Sequence, residues 1–198
     1  MTFILTNRNL ALYCLSMKYE DKKILLLSCC APCSCAVIQK LKEDGANFAV
    51  LFYNPNIHPE AEYIKRRDEQ KNLCQKWDIE FIELPYNPED WLKMATPYKD
   101  EPERGKRCAE CFKYRLNRAM AYAKEHGFTH VSSVLGVSRW KDLSQVNKAG
   151  FESSQQAGIP YLEIEGRKGG MQELRARLIK ELNLYNQTYC GCIFSQKH

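Results

Sequence analysis

Short apolar runs alternate along the chain with segments whose apolar positions recur every three or four residues. Each run is short and bounded by polar or turn-forming residues, which is typical of a strand buried in a sheet. Five strands are therefore predicted: KILLLS (23–28), FAVLFY (48–53), EFIELPY (80–86), HVSSVLGVS (130–138) and IPYLEIEG (159–166).

Amphipathic segments between these runs predict the helices that connect the strands. One runs from Pro32 to Asp44 and another from Pro59 to Trp77, each with a proline near its first turn. A third runs from Cys108 to His126 with its apolar residues along one face. Strands that alternate with helices predict an α/β fold, a Rossmann-like parallel sheet of about five strands covered by helices.

Residues 87–107 break this alternation, because they are rich in charge and proline. They are predicted to be an inserted helical and loop segment that brings the CAEC motif to the site. Residues 1–22 are predicted to be an N-terminal extension, and residues 23–198 a single Rossmann-like catalytic domain with a C-terminal CxC tail. The extension lacks the basic start and the long apolar run of an export signal, which favours the cytoplasm. The sequence holds no apolar run long enough to span a membrane, so no membrane partner is expected.

Composition adds one constraint. The chain of 198 residues is 44% hydrophobic and 27% charged, as in ordinary globular proteins, and its net charge of +5 is compatible with RNA without being specific for it. It contains ten cysteines. In a reducing compartment these favour metal binding or redox catalysis over structural disulfides.

Seven of the cysteines form three short motifs. The first strand ends at Ser28, where a doubly wound sheet places its ligand site, and the cysteines follow at once. Two motifs start predicted helices, where the unpaired backbone N–H groups favour thiolates. The motifs comprise Cys29, Cys30 and Cys33; Cys108 and Cys111; and Cys190 and Cys192.

No histidine lies within these motifs, so the sulfurs favour either structural zinc or an iron–sulfur cluster. The adjacent pair Cys29–Cys30 is unusual for a zinc site and favours iron–sulfur chemistry. Cys190 and Cys192 can form a strained, easily reduced disulfide or complete a metal site. Cys14 and Cys74 are predicted to be buried small hydrophobic residues, and Cys35 to pack or face solvent within its helix.

The cysteine motifs have three other interpretations. A strand followed by CxxC and a helix is also the local signature of thiol–disulfide exchange proteins, although it leaves Cys29, CAEC and CGC unexplained. A zinc-stabilised protein without RNA chemistry is the related alternative. A nucleotide-activating tRNA thiolase is poorly supported, because SCCAPC contains no glycine for a phosphate loop.

Five segments, in order from about residue 24 to 195, resemble the QueH family of epoxyqueuosine reductases: LLSCCAPC, YNPNIHP with EYIKRRDEQ, GKRCAECFKYRL, VSRWKDLSQVNKAG and YNQTYCGCIFS. The resemblance implies the last step of queuosine biosynthesis, the two-electron deoxygenation of epoxyqueuosine to queuosine at the wobble position of tRNA. It implies a cobalamin-independent iron–sulfur oxidoreductase that depends on an unidentified electron donor.

The resemblance also implies roles for the cysteines. Cys29, Cys30, Cys108 and Cys111 would hold a 4Fe–4S cluster, and Cys190 and Cys192 would be a redox-active, catalytic pair. An adjacent mononuclear iron is expected beside the cluster, with Cys33 and the tail cysteines as candidates to share it. The chain departs from the family at Trp140, where histidine is common, at Asn186, where arginine is usual, and at Ser28, where histidine is frequent.

Substrate contacts are less specific in the sequence. Tyr53, Asn54 and Asn56 follow the second strand and could line the base pocket or simply form an Asn-Pro turn. Arg67 falls on the apolar stripe of its helix and is a further candidate. Basic residues beside CAEC and after the fourth strand could follow the RNA backbone or be ordinary solvated charges: Arg104, Lys106, Arg107, Arg139 and Lys141.

Overall fold

Four parallel strands form the central sheet of the protein, in the spatial order β3-β2-β1-β4. The structure is a computed structural model and describes residues 19–195. The strands are β1 (Lys23–Ser28), β2 (Asn47–Phe52), β3 (Phe81–Glu83) and β4 (His130–Ser133). The first strand has the predicted bounds, and β4 ends earlier than predicted. The observed order confirms a parallel α/β sheet with helical crossovers.

Within residues 19–195, six α-helices connect and cover the strands: α1 (Ala31–Glu43), α2 (Glu60–Lys76), α3 (Pro88–Ala95), α4 (Lys106–Glu125), α5 (Leu143–Ala157) and α6 (Met171–Glu181). Alternate residues of β1 point to opposite faces of the sheet. Ile24 and Leu26 pack with α1, α2 and α6, whereas Leu25 and Leu27 pack with α4 and α5. All four leucine and isoleucine side chains are fully buried, so β1 lies at the centre of both cores.

The predicted fifth strand, residues 159–166, is wrong. Only Tyr161 forms a parallel bridge, with Val131, beyond β4. Pro160 has no N–H to donate to a ladder, and Glu163 and Glu165 are exposed, so the segment leaves the sheet after a single pairing. The sheet within residues 19–195 therefore has four strands.

The predicted insertion contains the helix α3, a 3₁₀ turn at Thr96–Tyr98 and a turn that ends at Gly105, the residue before α4. Most of the predicted extension, residues 1–18, lies outside the described residues. None of the helices within residues 19–195 combines the length and the apolar character needed to cross a membrane.

The carboxyl ends of β1, β2 and β4 meet at one edge of the sheet. Cys29 follows β1, Tyr53 follows β2, and the loop 134–142 follows β4. In an open parallel sheet this edge is where ligands bind. The first cysteine motif thus lies at the edge where the sequence predicts a site.

Candidate metal and redox site

Three sulfur atoms lie together where β1 passes into α1. The Sγ atoms of Cys29, Cys30 and Cys33 are all within 4.8 Å of one another, and those of Cys29 and Cys30 are 3.7 Å apart. Cys30 is the residue before α1 and has an extended backbone, and its carbonyl accepts the N–H groups of Cys33 and Ser34. The turn of the helix therefore brings Cys33 back towards the adjacent pair. Among residues 19–195, this is the only group of three or more candidate metal ligands at such close range.

The pKa values of the three thiols are shifted in different directions. Hydrogen bonds from Cys30 and Cys33 hold the pKa of Cys29 well below its usual range, and the charges of Arg115 and Arg66 act in the same direction. Burial raises the pKa of Cys30. The hydrogen bond to Cys29 raises the pKa of Cys33. Cys29 is thus the sulfur most ready to bind a metal as a thiolate.

The second motif lies at the start of α4. Gly105 precedes the helix, and Cys108 lies in its first turn, where its Sγ accepts the N–H of Arg104 at 3.3 Å. Cys111 follows one turn later, and its Sγ accepts the indole N–H of Trp91 at 3.3 Å. Burial raises the pKa of Cys111 to about 12. Trp91 is fully buried in α3, so the inserted segment supplies the partner of this sulfur.

The third motif is held in place by a buried arginine of α2. Arg66 donates from Nη1 to the carbonyl oxygen of Cys190 and from Nη2 to that of Tyr189, each at 3.1 Å. Its Nε is 2.6 Å from a carboxylate oxygen of Glu62. Gly191 has φ of +99°, and a Cβ there would lie 2.9 Å from Cγ1 of Ile57. The CGC turn therefore requires glycine for both its conformation and its packing.

The tail connects the other two motifs. The amide of Gln187 donates to Sγ of Cys30 at 2.7 Å. Cys190 and Cys192 pack with Cys111 and Trp91 in one small core. Within residues 19–195 all nine cysteines are free thiols, so Cys190 and Cys192 are reduced in this structure.

Cationic side chains lie among the motifs. Arg115 acts electrostatically on both Cys29 and Cys111, and Arg66 acts on Cys29 while it holds the tail. Lys141 interacts electrostatically with Cys190 and Cys108. Although burial opposes it, the negative charge available at Cys190 raises the pKa of Lys141. Positive charge near several thiols favours their deprotonated, ligating form.

The predicted substrate residues Tyr53, Asn54 and Asn56 differ in their hydrogen bonds. Asn54 is buried and donates to the carbonyl of Ser28 at 2.9 Å, while its side-chain oxygen accepts from Arg115. Arg115 also donates to the carbonyl of Tyr53 at 3.1 Å. Tyr53 and Asn54 therefore position Arg115 at the site. Asn56 is buried, and its Oδ1 has no hydrogen-bond partner.

The basic residues proposed from the sequence lie in different surroundings. Arg139 is exposed, and Lys141 reaches Cys190. Arg67 lies away from the sulfurs, paired with Asp68 and Glu83. Arg107 is buried and donates to backbone carbonyls of the inserted segment, including that of Lys99 at 2.8 Å, so it fixes this segment.

Sequence reasoning missed several residues of the site: Arg66, Trp91, Arg115 and Gln187. Arg115 carried a signal, because it is a charged residue in the apolar stripe of α4. Of the isolated cysteines, Cys74 is buried as predicted and Cys35 packs in the core, whereas Cys14 lies outside the described residues.

Comparisons with known proteins identify the family of the chain. The family model described as epoxyqueuosine reductase QueH matches residues 24–198. Epoxyqueuosine reductase QueH of Histophilus somni is 41% identical over 182 residues, which cover 91% of this chain and 75% of the relative. The protein of the same name from Acinetobacter baylyi is 42% identical over 184 residues, covering 91% and 84%. That of Thermotoga maritima is 34% identical over 175 residues, covering 87% and 89%.

Proposed function

The chain belongs to the QueH family of epoxyqueuosine reductases and is an oxidoreductase, and we propose that it converts epoxyqueuosine to queuosine at the wobble position of tRNA. Two observations support the proposal: Cys29, Cys30 and Cys33 cluster at the carboxyl edge of a parallel sheet, and the tail both contacts Cys30 through Gln187 and packs against Cys111. The match over residues 24–198 supports residues 23–198 as one catalytic domain. As a tRNA-modifying enzyme the protein would act in the cytoplasm.

The reaction is a two-electron reduction. Both carbon–oxygen bonds of the epoxide break, and a carbon–carbon double bond forms between the two ring carbons. The oxygen takes up two protons and leaves as water. The two electrons come from an external donor, and the chain must pass them to the substrate.

The residues present fit an iron–sulfur cofactor. Every ligand candidate in the three motifs is a sulfur, and seven sulfurs exceed the four that a structural zinc site uses. Three of them accept an N–H group: Cys30 from Gln187, Cys108 from Arg104 and Cys111 from Trp91. Such bonds are typical of ligand sulfurs, whose charge they stabilise.

We assign the cluster to Cys29, Cys30, Cys108 and Cys111, two sulfurs from each helix start. Cys33 neighbours Cys29 and Cys30, whereas Cys190 neighbours Cys108, Cys111 and Lys141. This assignment, which follows the family resemblance, leaves Cys33, Cys190 and Cys192. They would bind an adjacent mononuclear iron, or the two tail cysteines would form a redox-active pair. When bound, the iron supplies single electrons and a Lewis acid for the leaving oxygen.

The chain's own residues prepare this site. Arg66 and Arg115 favour the thiolate of Cys29, and Lys141 places a positive charge beside Cys190 and Cys108. The fully buried Trp91 and the tail pack against Cys111 and leave it half-buried. Partial exclusion of water strengthens each of these electrostatic interactions.

For the tRNA we propose contacts from Asn56, Arg139 and Lys141. Asn56 has a buried oxygen free to accept from a base, Arg139 is exposed beside the site, and Lys141 reaches into it. Tyr53 and Asn54 contribute by positioning Arg115. Arg67 stays a prediction from the sequence, since its recorded charge partners are Asp68 and Glu83.

Anaerobic purification with metal analysis tests the proposal. Wild type is expected to be brown, to contain about four or more irons per chain and to turn over epoxyqueuosine tRNA with a chemical reductant. Cys108→Ala should lose the colour and the activity together. Cys35→Ala is the matched control, because Cys35 is a buried cysteine outside the three motifs. Full activity in an iron-free protein, or stoichiometric zinc in place of iron, would refute the scheme and favour the zinc or thiol-exchange alternative.

A further inference from the structure

The loop after β4 exposes a large aromatic side chain. Trp140 is 76% exposed, whereas the next most exposed large apolar residue within residues 19–195, Phe151, is 46% exposed. Tryptophan is enriched at binding surfaces, because its ring supplies a large contact area. The exposed ring of Trp140 is therefore a candidate contact for a ligand, and its surroundings decide of which kind.

The backbone around Trp140 is firmly held. Arg104 donates from Nε to the carbonyl of Trp140 at 3.1 Å and from Nη2 to that of Arg139 at 3.0 Å. On the other side, Arg167 donates to the carbonyls of Ser138 and Lys141, each at 2.7 Å. Two guanidinium groups thus fix four consecutive residues. The indole is presented by a rigid loop, so little conformational entropy is lost when a ligand binds to it.

The same loop adjoins the cysteine site. Lys141, the next residue, interacts electrostatically with Cys190 and Cys108. Arg104, which holds the loop, also donates its backbone N–H to Sγ of Cys108. Trp140 therefore lies at the rim of the site that would reduce the substrate.

The surroundings of Trp140 suit RNA better than a protein surface. Arg139, the preceding residue, is exposed, and Arg104 donates to the carbonyl of Trp140. The carboxylate of Asp142 is turned to the start of α5, where it accepts the N–H of Ser144 at 2.8 Å. Protein interfaces surround an exposed tryptophan with further apolar residues, whereas here its neighbours are cationic. An indole flanked by cations is typical of sites that stack an unpaired base and hold its phosphates.

We infer that Trp140 is a stacking platform for an unpaired base of the anticodon loop, next to the nucleotide that enters the cysteine site. This inference rests on the proposed function, since it takes RNA as the substrate. Stacking would orient the loop, while Arg139 would contact its backbone. Trp140 is thus a binding and positioning residue rather than a group that touches the reacting atoms.

Binding of a labelled RNA hairpin with an unpaired anticodon loop tests the inference, with a fully paired duplex of the same composition for comparison. Loss of one base stack weakens binding about 10-fold, so Trp140→Ala should bind the hairpin about 10-fold more weakly. Trp140→Phe should recover most of the affinity, because it restores an aromatic face. Phe151→Ala, the control for removing another exposed aromatic ring, should bind like wild type.

The salt dependence separates stacking from charge. Trp140→Ala should keep the slope of log affinity against log salt, because no phosphate contact is lost, whereas Arg139→Gln should reduce the slope by about 1. In the wild type the hairpin, but not the duplex, should quench the fluorescence of the exposed indole.

The outcomes also separate this inference from the proposed function. Wild type that binds the hairpin and Trp140→Ala that binds it equally well would overturn the inference alone and leave this surface to a protein partner. Affinity lost only together with bound iron or with folding would also overturn it, since Trp140 would then act structurally. Wild type without salt-dependent affinity for the hairpin or for whole tRNA would overturn the proposed function as well.

Discussion

Nη1 of the buried Arg66 donates a 3.1 Å hydrogen bond to the carbonyl oxygen of Cys190, 124 positions later in the chain. The same side chain pairs with Glu62, one turn earlier in α2. One residue thereby fixes the tail motif against the helix that borders the first cysteine motif. Arg66 therefore fixes the backbone that carries the tail cysteines.

Replacing Arg66 should release the tail. Arg66→Gln leaves Glu62 without its cation and two carbonyls without their donors, so the free energy of unfolding should fall by about 3–5 kcal/mol. Arg67→Gln, at the adjacent and more exposed position, should cost less than about 1 kcal/mol. Urea denaturation measures both, and iron content after anaerobic purification should fall only in Arg66→Gln. The double variant Glu62→Gln/Arg66→Gln should recover part of the stability; equal losses in Arg66→Gln and Arg67→Gln would contradict this role.

The CGC turn should not tolerate a side chain. Gly191→Ala combines a left-handed backbone with a Cβ 2.9 Å from Ile57, whereas Gly158→Ala has a similar backbone, φ of +73°, and no heavy atom within 4 Å. Gly158→Ala should therefore lose about 1 kcal/mol of unfolding free energy, and Gly191→Ala a further ~1–3 kcal/mol from overpacking. Thermal or urea unfolding measures the difference. Similar losses in the two variants would show that the turn can move aside.

Glu69 should make stability depend on pH. Burial raises the pKa of its carboxyl group, although its Oε1 accepts the backbone N–H of Tyr185 in the tail. A carboxyl group whose folded pKa exceeds its unfolded pKa of about 4.3 favours folding most when protonated. Wild type should therefore lose stability relative to Glu69→Gln as the pH rises from about 4.3 through the folded pKa. Urea unfolding of both proteins across this range checks the sign, and parallel curves would contradict it.

The indole N–H of Trp91 should raise the reduction potential of the proposed cluster. Trp91→Phe keeps a buried ring but removes the N–H that Cys111 accepts, so the more negative, reduced state of the cluster loses a stabilising contact. We expect a more negative reduction potential, measured by a redox titration followed by electron paramagnetic resonance. Trp77→Phe is the control, because Trp77 ends α2 at the opposite edge of the sheet. A potential that moves equally in both variants would assign the effect to packing.

The local pattern of the sequence predicted much of the framework. The bounds of β1 followed from one apolar run, and proline and glycine located the ends of α1 within one residue. The cysteines at the end of β1 could be placed at the ligand-binding edge because a parallel sheet has only one such edge. In each case the information lies within a few consecutive residues.

Other parts of the site depend on distant residues and could not be predicted. The spacing of apolar positions in α2 pointed to Arg67, whereas the structure buries Arg66, which donates to carbonyls of the tail. The bond from Gln187 to Cys30 joins residues 157 positions apart. The predicted fifth strand also depends on a distant partner. Pro160 cannot donate to a ladder, and the segment pairs with β4 through a single bridge, which the sequence did not reveal.

Arg104 connects the loop that carries Trp140 to the sulfur of Cys108. Its backbone N–H faces Cys108, and its guanidinium group holds the carbonyls beside Trp140. If RNA binds to the loop at Trp140 as we infer, any shift of that loop also displaces Arg104, the residue that hydrogen bonds to Cys108. By thermodynamic reciprocity, any influence of docking on that sulfur is returned as an equal influence of the sulfur's charge on docking.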